Sequence, residues 1–564
     1  MTFLPPDLDD GAAELAPPWL SHYPEGVPRT LELVAGSMLD AWDATVKARG
    51  HSPGVHYFER SLTFSDLDSM ADALAGALLA GKLRSGDRVG LFLQNDPQWL
   101  IGMVAAWKAG AVPVAINPML KAEELAYQLT DCSATVLICL ESLYEEAVQH
   151  VRHQVGLERI VTTHPMDAIG GTWLAGLDRH AVGPKRQFQD TDDLAALLDE
   201  HSGGHVAASQ PNLDDIAVLT YTSGTTGPPK GAMNLHRGML YNALSYARWF
   251  GVDATDVILG MAPLFHITGI VAGMATTMVT GAPLVLSHRF DATETLRLIE
   301  RWGVTFGSGA ITAYIALMNS PDVATRNLST MTKVSSGGAP VSPATVERFA
   351  QATGIRIHNI YGLTESTSQT HLTPLGAEPP TDPASGALSI GVPAPGVGMK
   401  VVSTETGEIL APGQVGELVL AGPMVVPGYW EKPDESRHAL RDGWLYTGDV
   451  GFMDDQGWCY LVDRKKDLIN ASGYKVWPRE VEDVLYQHPA VREAAVVGVP
   501  DEYRGETVKA FVSLVPGTEA DPDEIVAFCR QRMAAYKYPR SVDILAELPK
   551  TPSGKLLRRH LRKT

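Results

Sequence analysis

Tyr221-Thr-Ser-Gly-Thr-Thr-Gly-Pro-Pro-Lys-Gly231 packs three glycines and four hydroxyl side chains into eleven residues and closes on a lysine. Glycine tolerates backbone conformations that turn successive N–H groups inward, and such a nest wraps anionic oxygens. The hydroxyls of Thr222, Ser223, Thr225 and Thr226 add donors, and Lys230 adds positive charge. The stretch reads as a phosphate-binding loop. It is not a Walker A loop, which needs Gly-Lys followed by Ser or Thr; here Lys230 follows Pro229 and precedes Gly231. Residues Asp215 to Leu219, just upstream, read as a strand that feeds the loop.

Working back from the loop, helix and strand signals alternate. Leu67, Met70, Ala71, Leu74 and Leu78 share one face of a helix expected over Ser65 to Ala80, with Ser65 and Asp68 at capping-box spacing. Arg88 to Leu93 reads as a strand, and Pro97 opens a helix to about Ala109. Val112 to Ile116 is a strand, Lys121 to Leu129 a helix and Thr135 to Cys139 a strand. Repeated β-α-β units imply a parallel sheet covered by helices. The polar stretch from about Pro165 to Pro211 reads as a connecting excursion. Alternation resumes through about Asn359. From Ser389 to Val462 short β-like runs such as VGELVLAG, broken by Gly, Pro and Asp, indicate a β-rich subdomain. The last hundred residues form a small α+β unit: a helix over Pro478 to Gln487, strands over Val491 to Val499 and Val508 to Leu514, a helix capped by Asp521, and a strand over Ser541 to Leu545. The expected fold class is α/β, with an N-terminal domain over residues 1–465 that includes the β-rich subdomain (about 389–462), and a C-terminal α+β domain over 466–564.

Composition bounds the function. The 564 residues carry 46 Lys and Arg against 65 Asp and Glu, a formal net charge of −19. Long-range repulsion of a polyphosphate backbone argues against nucleic-acid binding but not against a local nucleotide pocket. Four cysteines without a C-x-x-C pair suit a reduced, cytoplasmic enzyme. The N-terminus has no basic region followed by an apolar one, so no signal peptide is expected. Leu259 to Leu286 runs 28 residues without a Lys, Arg, Asp or Glu. Its prolines and glycines, and flanks without clustered Lys and Arg, favour buried core over a membrane span. Peripheral membrane contact stays open, although no basic amphipathic helix supports it. A homodimer is the default oligomer.

Further motifs follow the loop in a fixed order: Pro263-Leu-Phe-His-Ile-Thr-Gly269, Ser336-Gly-Gly-Ala-Pro340, Tyr361-Gly-Leu-Thr-Glu365, Tyr446-Thr-Gly-Asp449, Asp463-Arg-Lys-Lys-Asp467 and Pro549-Lys-Thr-Pro-Ser-Gly-Lys555. Together with the loop they resemble the adenylate-forming superfamily over nearly the whole chain, in wording most like bacterial medium- and long-chain fatty acyl-CoA ligases. The resemblance implies ATP, Mg²⁺ and coenzyme A as cofactors and a mobile C-terminal domain. It implies nucleotide contacts from Thr222, Ser223, Gly224, Thr225, Thr226 and Lys230, from Gly338, Ala339, Pro340, Asn359, Ile360, Tyr361, Gly362, Leu363 and Thr364, and from Asp449 and Arg464 at the ribose. Glu365 and Thr225 would hold the metal, and hard oxygen ligands suit Mg²⁺. Lys555 would be the catalytic lysine, acting with Glu365, Lys230 and His266. Lys466 matches the hinge between domains, and Gly473 the glycine that lets the pantetheine arm pass. His266, Gly269, Gly309, Ala310 and Gly337 match the acyl pocket, although His266 alone reads equally well as a satisfied core histidine.

Amino-acid-activating relatives place an acid near Phe265-His266-Ile267, and this chain has none, which implies a substrate without an α-amino group. Asn470 and Lys475 depart from the plant coumarate-ligase pattern, so thioester-step roles do not carry over to them. Trp477 reads as a nucleotide gate or an interface aromatic. The expected activity is an ATP-dependent ligase that makes an acyl-adenylate and transfers it to CoA, with a medium- or long-chain fatty acid as substrate. An aryl-CoA ligase and a free-standing enzyme loading a carrier protein are the alternatives.

Overall fold

The computed structural model describes residues 17–564 except 181, 205, 207, 223–227, 340, 384–385, 465–466, 468, 472–473, 502–504, 551–555 and 563–564. Two large sheets dominate. The first has seven strands in the order Asp192–Asp193, Arg159–Thr163, Ala134–Leu140, Arg88–Phe92, Val112–Ala115, Ile216–Tyr221 and Gly231–Leu235, all parallel except the last. The second has nine. A parallel centre runs from His358–Leu363 through Lys333–Ser336, Phe306–Gly309, Ile258–Leu259 and Leu284–Leu286 to Pro53–Tyr57. It is extended antiparallel by Ser368–Leu372 and Val392–Pro393 at one edge and Arg60–Thr63 at the other. The mixed α/β fold expected from the alternation is therefore present, as is a five-stranded antiparallel sheet built from Gly398–Val402, Gly416–Ala421, Leu440–Arg441, Trp444–Met453 and Cys459–Arg464. The last hundred residues form their own five-stranded sheet, centred on Val491–Asp501 and Gly505–Leu514, flanked by helices Pro478–Leu485 and Pro522–Arg530. Asp521 caps the second of these by accepting from the Asp523 amide.

Local details correct two expectations. The helix Phe64–Ala80 starts one residue early, and its capping box is formed by Thr63 and Asp66, not Ser65 and Asp68. Asp68 lies on the inner side of the helix, where it accepts from Trp42 Nε1 at 2.7 Å and pairs with Lys108 at 2.6 Å. A carboxylate needed for an interior pair cannot also serve the helix end. The stretch 165–211 is more than a connection: it supplies the edge strand Asp192–Asp193 and the helix Leu194–Glu200, which packs on Phe64–Ala80. Its polar composition hid a short element whose buried face is only Leu194 and Leu197.

The uncharged stretch 259–286 is core, as its prolines and glycines predicted. It forms a π-helical segment, Gly269–Ala275, buried at every residue, then a short helix, Thr276–Thr280, and the strand Leu284–Leu286. Among the described residues no helix is long and apolar enough to cross a membrane.

The two large sheets meet at Asn95 and Asp96, just past the Arg88–Phe92 strand. Asp96 is fully buried and accepts from Tyr57 OH and His288 Nδ1, each at 2.8 Å. Asn95 exchanges backbone hydrogen bonds with His288. Its side chain donates to the carbonyls of Gly260 (2.9 Å) and Ala262 (3.1 Å) and accepts from the Leu264 amide (2.8 Å). One asparagine therefore fixes the path of the segment leading into His266.

Lys108 is 5% exposed and bridges Asp68 (2.6 Å) and Asp72 (2.7 Å) across helices Pro97–Lys108 and Phe64–Ala80. Removing a buried cation strands its partners' charge. Lys108→Met is expected to lower stability by about 3 kcal/mol, read by urea denaturation, with partial recovery when Asp68 and Asp72 are also changed to Asn. Glu141, one residue past Ala134–Leu140, is 4% exposed, and burial pushes its carboxyl up to about 7. Because its folded value lies above its unfolded one, its contribution to stability is largest in acid and is lost as pH rises toward that value. Glu141→Gln keeps an acceptor for the Arg186 amide (2.6 Å). The difference in Tm, variant minus parent, should therefore grow between about pH 5 and about pH 8.

Candidate active site

The base of the Gly/Thr-rich loop continues a hairpin. Tyr221 pairs with Gly231, the Thr222 amide donates to Lys230 O at 3.0 Å, and the Lys230 amide donates to Thr222 Oγ1 at 3.4 Å. Tyr221 OH is spent on Asp131 Oδ2 at 2.8 Å, a structural anchor at the end of the Ile216–Tyr221 strand. The second hairpin strand is held from outside by residues 428–430: Met233 N donates to Gly428 O and Trp430 N to Gly231 O. This brings Tyr429 beside Lys230. Lys230 Nζ lies 4.5 Å from the centre of the Tyr429 ring, a cation–π distance. The Tyr429 hydroxyl donates to Glu365 Oε1 at 2.6 Å. One tyrosine, absent from the sequence reading, thus joins the loop lysine to the candidate metal carboxylate. Its only sequence signal was a Gly-Tyr-Trp run 64 residues beyond Glu365.

Tyr361, Gly362, Leu363 and Thr364 close the strand His358–Leu363 and run into Glu365. Tyr361 OH donates to Asp449 Oδ2 at 2.8 Å, both residues being buried. Asp449 stands directly opposite Arg464 in the antiparallel pair of strands. Gly362 is demanded by packing, since a Cβ there would lie 1.9 Å from Ser368 O. Gly337 is similar: a Cβ would meet Ile360 Cγ1 at 2.7 Å and Ile360 O at 2.8 Å. Asn359 is engaged structurally, donating to Ser389 O at 2.9 Å.

A cavity opens where these pieces meet. It is lined by His266, Ile267 and Thr268, by Gly337 and Gly338, by Ile360 through Thr364, and by Tyr246, Ser368 and Gln369. Adenine-flanking and acyl-side candidates therefore share one space. His266 Nδ1 accepts from the Thr268 amide at 3.3 Å, which places the proton of the neutral ring on Nε2. Gly269, Gly309 and Ala310 do not line this cavity. Gly269 starts the π-helical segment where a Cβ would lie 2.2 Å from Pro263 O, Gly309 faces the Met261 methyl, and Ala310 precedes the helix Ile311–Met318. The sequence reading missed Tyr246, Ser368 and Gln369, which helix and strand geometry alone bring to the wall. Ser223, Gly224, Thr225, Thr226, Pro340, Lys466, Gly473 and Lys555 lie outside the described residues, as does the Arg464 side chain. The flanks of Lys555 are anchored: Leu557 N donates to Pro549 O, Lys550 pairs with the buried Glu493 at 2.6 Å, and Arg558 grips Glu482 at 2.7 Å.

The chain matches the AMP-binding enzyme family over residues 42–430 and the AMP-binding enzyme C-terminal domain over 480–555. It belongs to the AMP-binding enzyme family. It is 37% identical over 558 residues to a long-chain-fatty-acid–CoA ligase of Bacillus subtilis (strain 168), covering 96% of this chain and 97% of that protein. A long-chain-fatty-acid–CoA ligase of Escherichia coli O157:H7 is 32% identical over 561 residues, with the same coverage. Among solved structures, an anthranilate CoA ligase in complex with anthranoyl-AMP superposes with a TM-score of 0.84 at 28% identity, covering 94% of this chain and 98% of that one.

As an AMP-binding enzyme, the chain is expected to depend on the Tyr429 hydroxyl. Tyr429→Phe keeps the ring beneath Lys230 and removes only the bond to Glu365. The ATP–pyrophosphate exchange rate should fall about tenfold with Tm nearly unchanged. An unchanged rate would show that Glu365 needs no such support.

Proposed function

We propose that this enzyme is an AMP-forming acyl-CoA synthetase whose substrate is a medium- or long-chain fatty acid. The observation that carries the reading is the shared cavity: Gly337, Gly338 and Tyr361 through Thr364, the candidate nucleotide side, border the same space as His266, the candidate acyl side. Tyr361 holds the candidate ribose carboxylate Asp449 at its edge. The long-chain-fatty-acid–CoA ligase relatives support the substrate class. The anthranilate CoA ligase neighbour supports a second reading, an aryl acid.

In the proposed reaction the substrate carboxylate attacks the α-phosphorus of ATP, the bond to the β-phosphate oxygen breaks, and pyrophosphate leaves. The product is an acyl-adenylate. Lys230 and the backbone of the loop would neutralise the phosphates, and Lys555 the charge that develops at the α-phosphate. The Glu365 carboxylate, held by Tyr429, is a hard oxygen donor of the kind Mg²⁺ accepts, and Thr225 would join it. When bound there, the ion would offset charge on the pyrophosphate. Asp449 would accept both ribose hydroxyl protons, with Arg464 beside it. The C-terminal domain, about 466–564, would then turn at Lys466, withdraw Lys555 and bring Gly473 past the pantetheine arm. The CoA sulfur attacks the acyl carbonyl, its proton is lost, and AMP leaves. Dividing a hard acyl transfer into two steps through a mixed anhydride is the logic of covalent activation. A cytoplasmic location and a homodimer belong to the same reading.

Purified protein incubated with ATP, Mg²⁺, CoA and acids from acetate through octanoate and palmitate to coumarate should yield AMP and acyl-CoA by mass. Adenylate without acyl-CoA would instead point to a carrier-protein acceptor. Lys555→Ala should lower the rate of adenylate formation by about 10²-fold or more while leaving CoA acylation from supplied acyl-adenylate largely intact. Adenylation at the parent rate would overturn the mechanism.

A further inference from the structure

Glu365 sits in a turn whose backbone its own residues do not favour. Thr367 and Ser368, just beyond it, have φ of 49° and 94°. Residues with a Cβ rarely adopt such values, and a β-branched threonine least of all. A conformation of this kind persists only where neighbouring groups hold it. Here the holding bonds come from the chain that leaves the phosphate-binding loop. Asn234, on the strand Gly231–Leu235, donates from Nδ2 to Thr364 O at 2.9 Å and to Thr367 Oγ1 at 3.1 Å. Asn242, on the helix His236–Phe250 that follows directly, donates from Nδ2 to Thr367 O at 2.7 Å, with Ser366 O (3.1 Å) and Gln369 O (3.2 Å) also in reach. Both asparagines are fully buried. Carbonyls only accept, so these bonds fix which way each amide faces. The helix comes this close because of Gly238, where a Cβ would lie 2.9 Å from Thr367 Oγ1. From the opposite side, Thr367 Oγ1 donates to Met424 O at 2.7 Å, and the Val426 amide donates to Glu365 O at 2.9 Å.

A turn released from the two amides would relax toward negative φ, and the rotating peptides would move Glu365 relative to Lys230. We propose that Asn242 and Asn234 are positioning residues for adenylation: they hold the turn in its strained form and so fix the Glu365 carboxylate against the loop that carries Lys230. Neither touches a reacting atom. The inference rests on the acyl-CoA synthetase reading, which gives Glu365 the metal, and adds how this chain keeps that carboxylate in place. A ligand held ready binds an ion better than one that must be ordered on binding.

The test reads binding, not turnover. The probe is α,β-methylene-ATP, in which the bond broken in adenylation is blocked, titrated calorimetrically into the full chain with Mn²⁺ or with EDTA. In the parent, Mn²⁺ should tighten nucleotide binding. In Asn242→Ala and in Asn234→Ala that gain should fall about tenfold, while the Kd in EDTA changes by less than about twofold. A general loss of structure would weaken both. Ser368→Gly, which adopts the positive φ without strain, should recover part of the gain when added to Asn242→Ala. If one asparagine variant does not fold, the other decides. A gain unchanged in either variant, a loss shared equally by the metal-free Kd, or a loss that Ser368→Gly leaves untouched overturns this inference alone. A parent whose nucleotide binding is indifferent to Mn²⁺ overturns the metal role of Glu365, and with it the reading on which the inference rests.

Discussion

The junction at Asn95 and Asp96 determines how the two large sheets sit. Asp96 has no access to water, and a buried carboxyl is tolerable only where hydrogen-bonding partners meet it. Tyr57 and His288 supply them, and both belong to the nine-stranded side of the molecule. Asn95, one residue earlier, satisfies three backbone groups between Gly260 and Leu264. The seven-stranded sheet thus carries at one strand end both a buried carboxyl that must find its partners and an amide that orders the neighbouring sheet's backbone. Sliding one sheet against the other would leave these groups unpaired, which makes the relative placement of the sheets close to all-or-none.

From that placement the candidate site follows. The segment that Asn95 orders leads directly to His266, and the cavity lies between it and the strand ends around Gly337 and Gly362. Close approach of backbone to backbone is possible there only because two positions lack a Cβ; side chains would overlap Ile360 and Ser368. The glycines that suit a nucleotide-binding segment are equally glycines of packing. The walls are mixed in character. Glycines line it at 337, 338 and 362, beside Tyr246, Tyr361 and His266.

Tyr429 illustrates how the loop is tied to the rest of the site. It comes from the connection between two strands of the β-rich sheet, Gly416–Ala421 and Leu440–Arg441, yet it touches both Lys230 and Glu365. A cation placed over a ring and a carboxylate placed on its hydroxyl fit one residue because the aromatic face and the hydroxyl edge offer opposite chemistry. Burial and the Glu365 carboxylate both push its hydroxyl well above its ordinary value, so it remains a donor at neutral pH.

The sequence alone was sufficient wherever the information is local. The alternation of apolar periods set the α/β class, Pro97 and Asp521 marked helix starts, and the Gly/Thr-rich loop with its ordered companion motifs pointed to the family. Prolines and glycines within 259–286 were enough to place that stretch in the core. What failed or stayed hidden depended on contacts between distant residues. Thr63 took the cap that Ser65 seemed to offer because Asp68 was needed by Trp42 and Lys108. Gln369 and Tyr246 belong to none of the sequence motifs. That they border one cavity depends on a helix, strands and a turn converging from separate parts of the chain. The identity of a hydrogen-bonding group is written in the sequence, but which partner it meets is set by its neighbours in space, and only the tertiary structure supplies those.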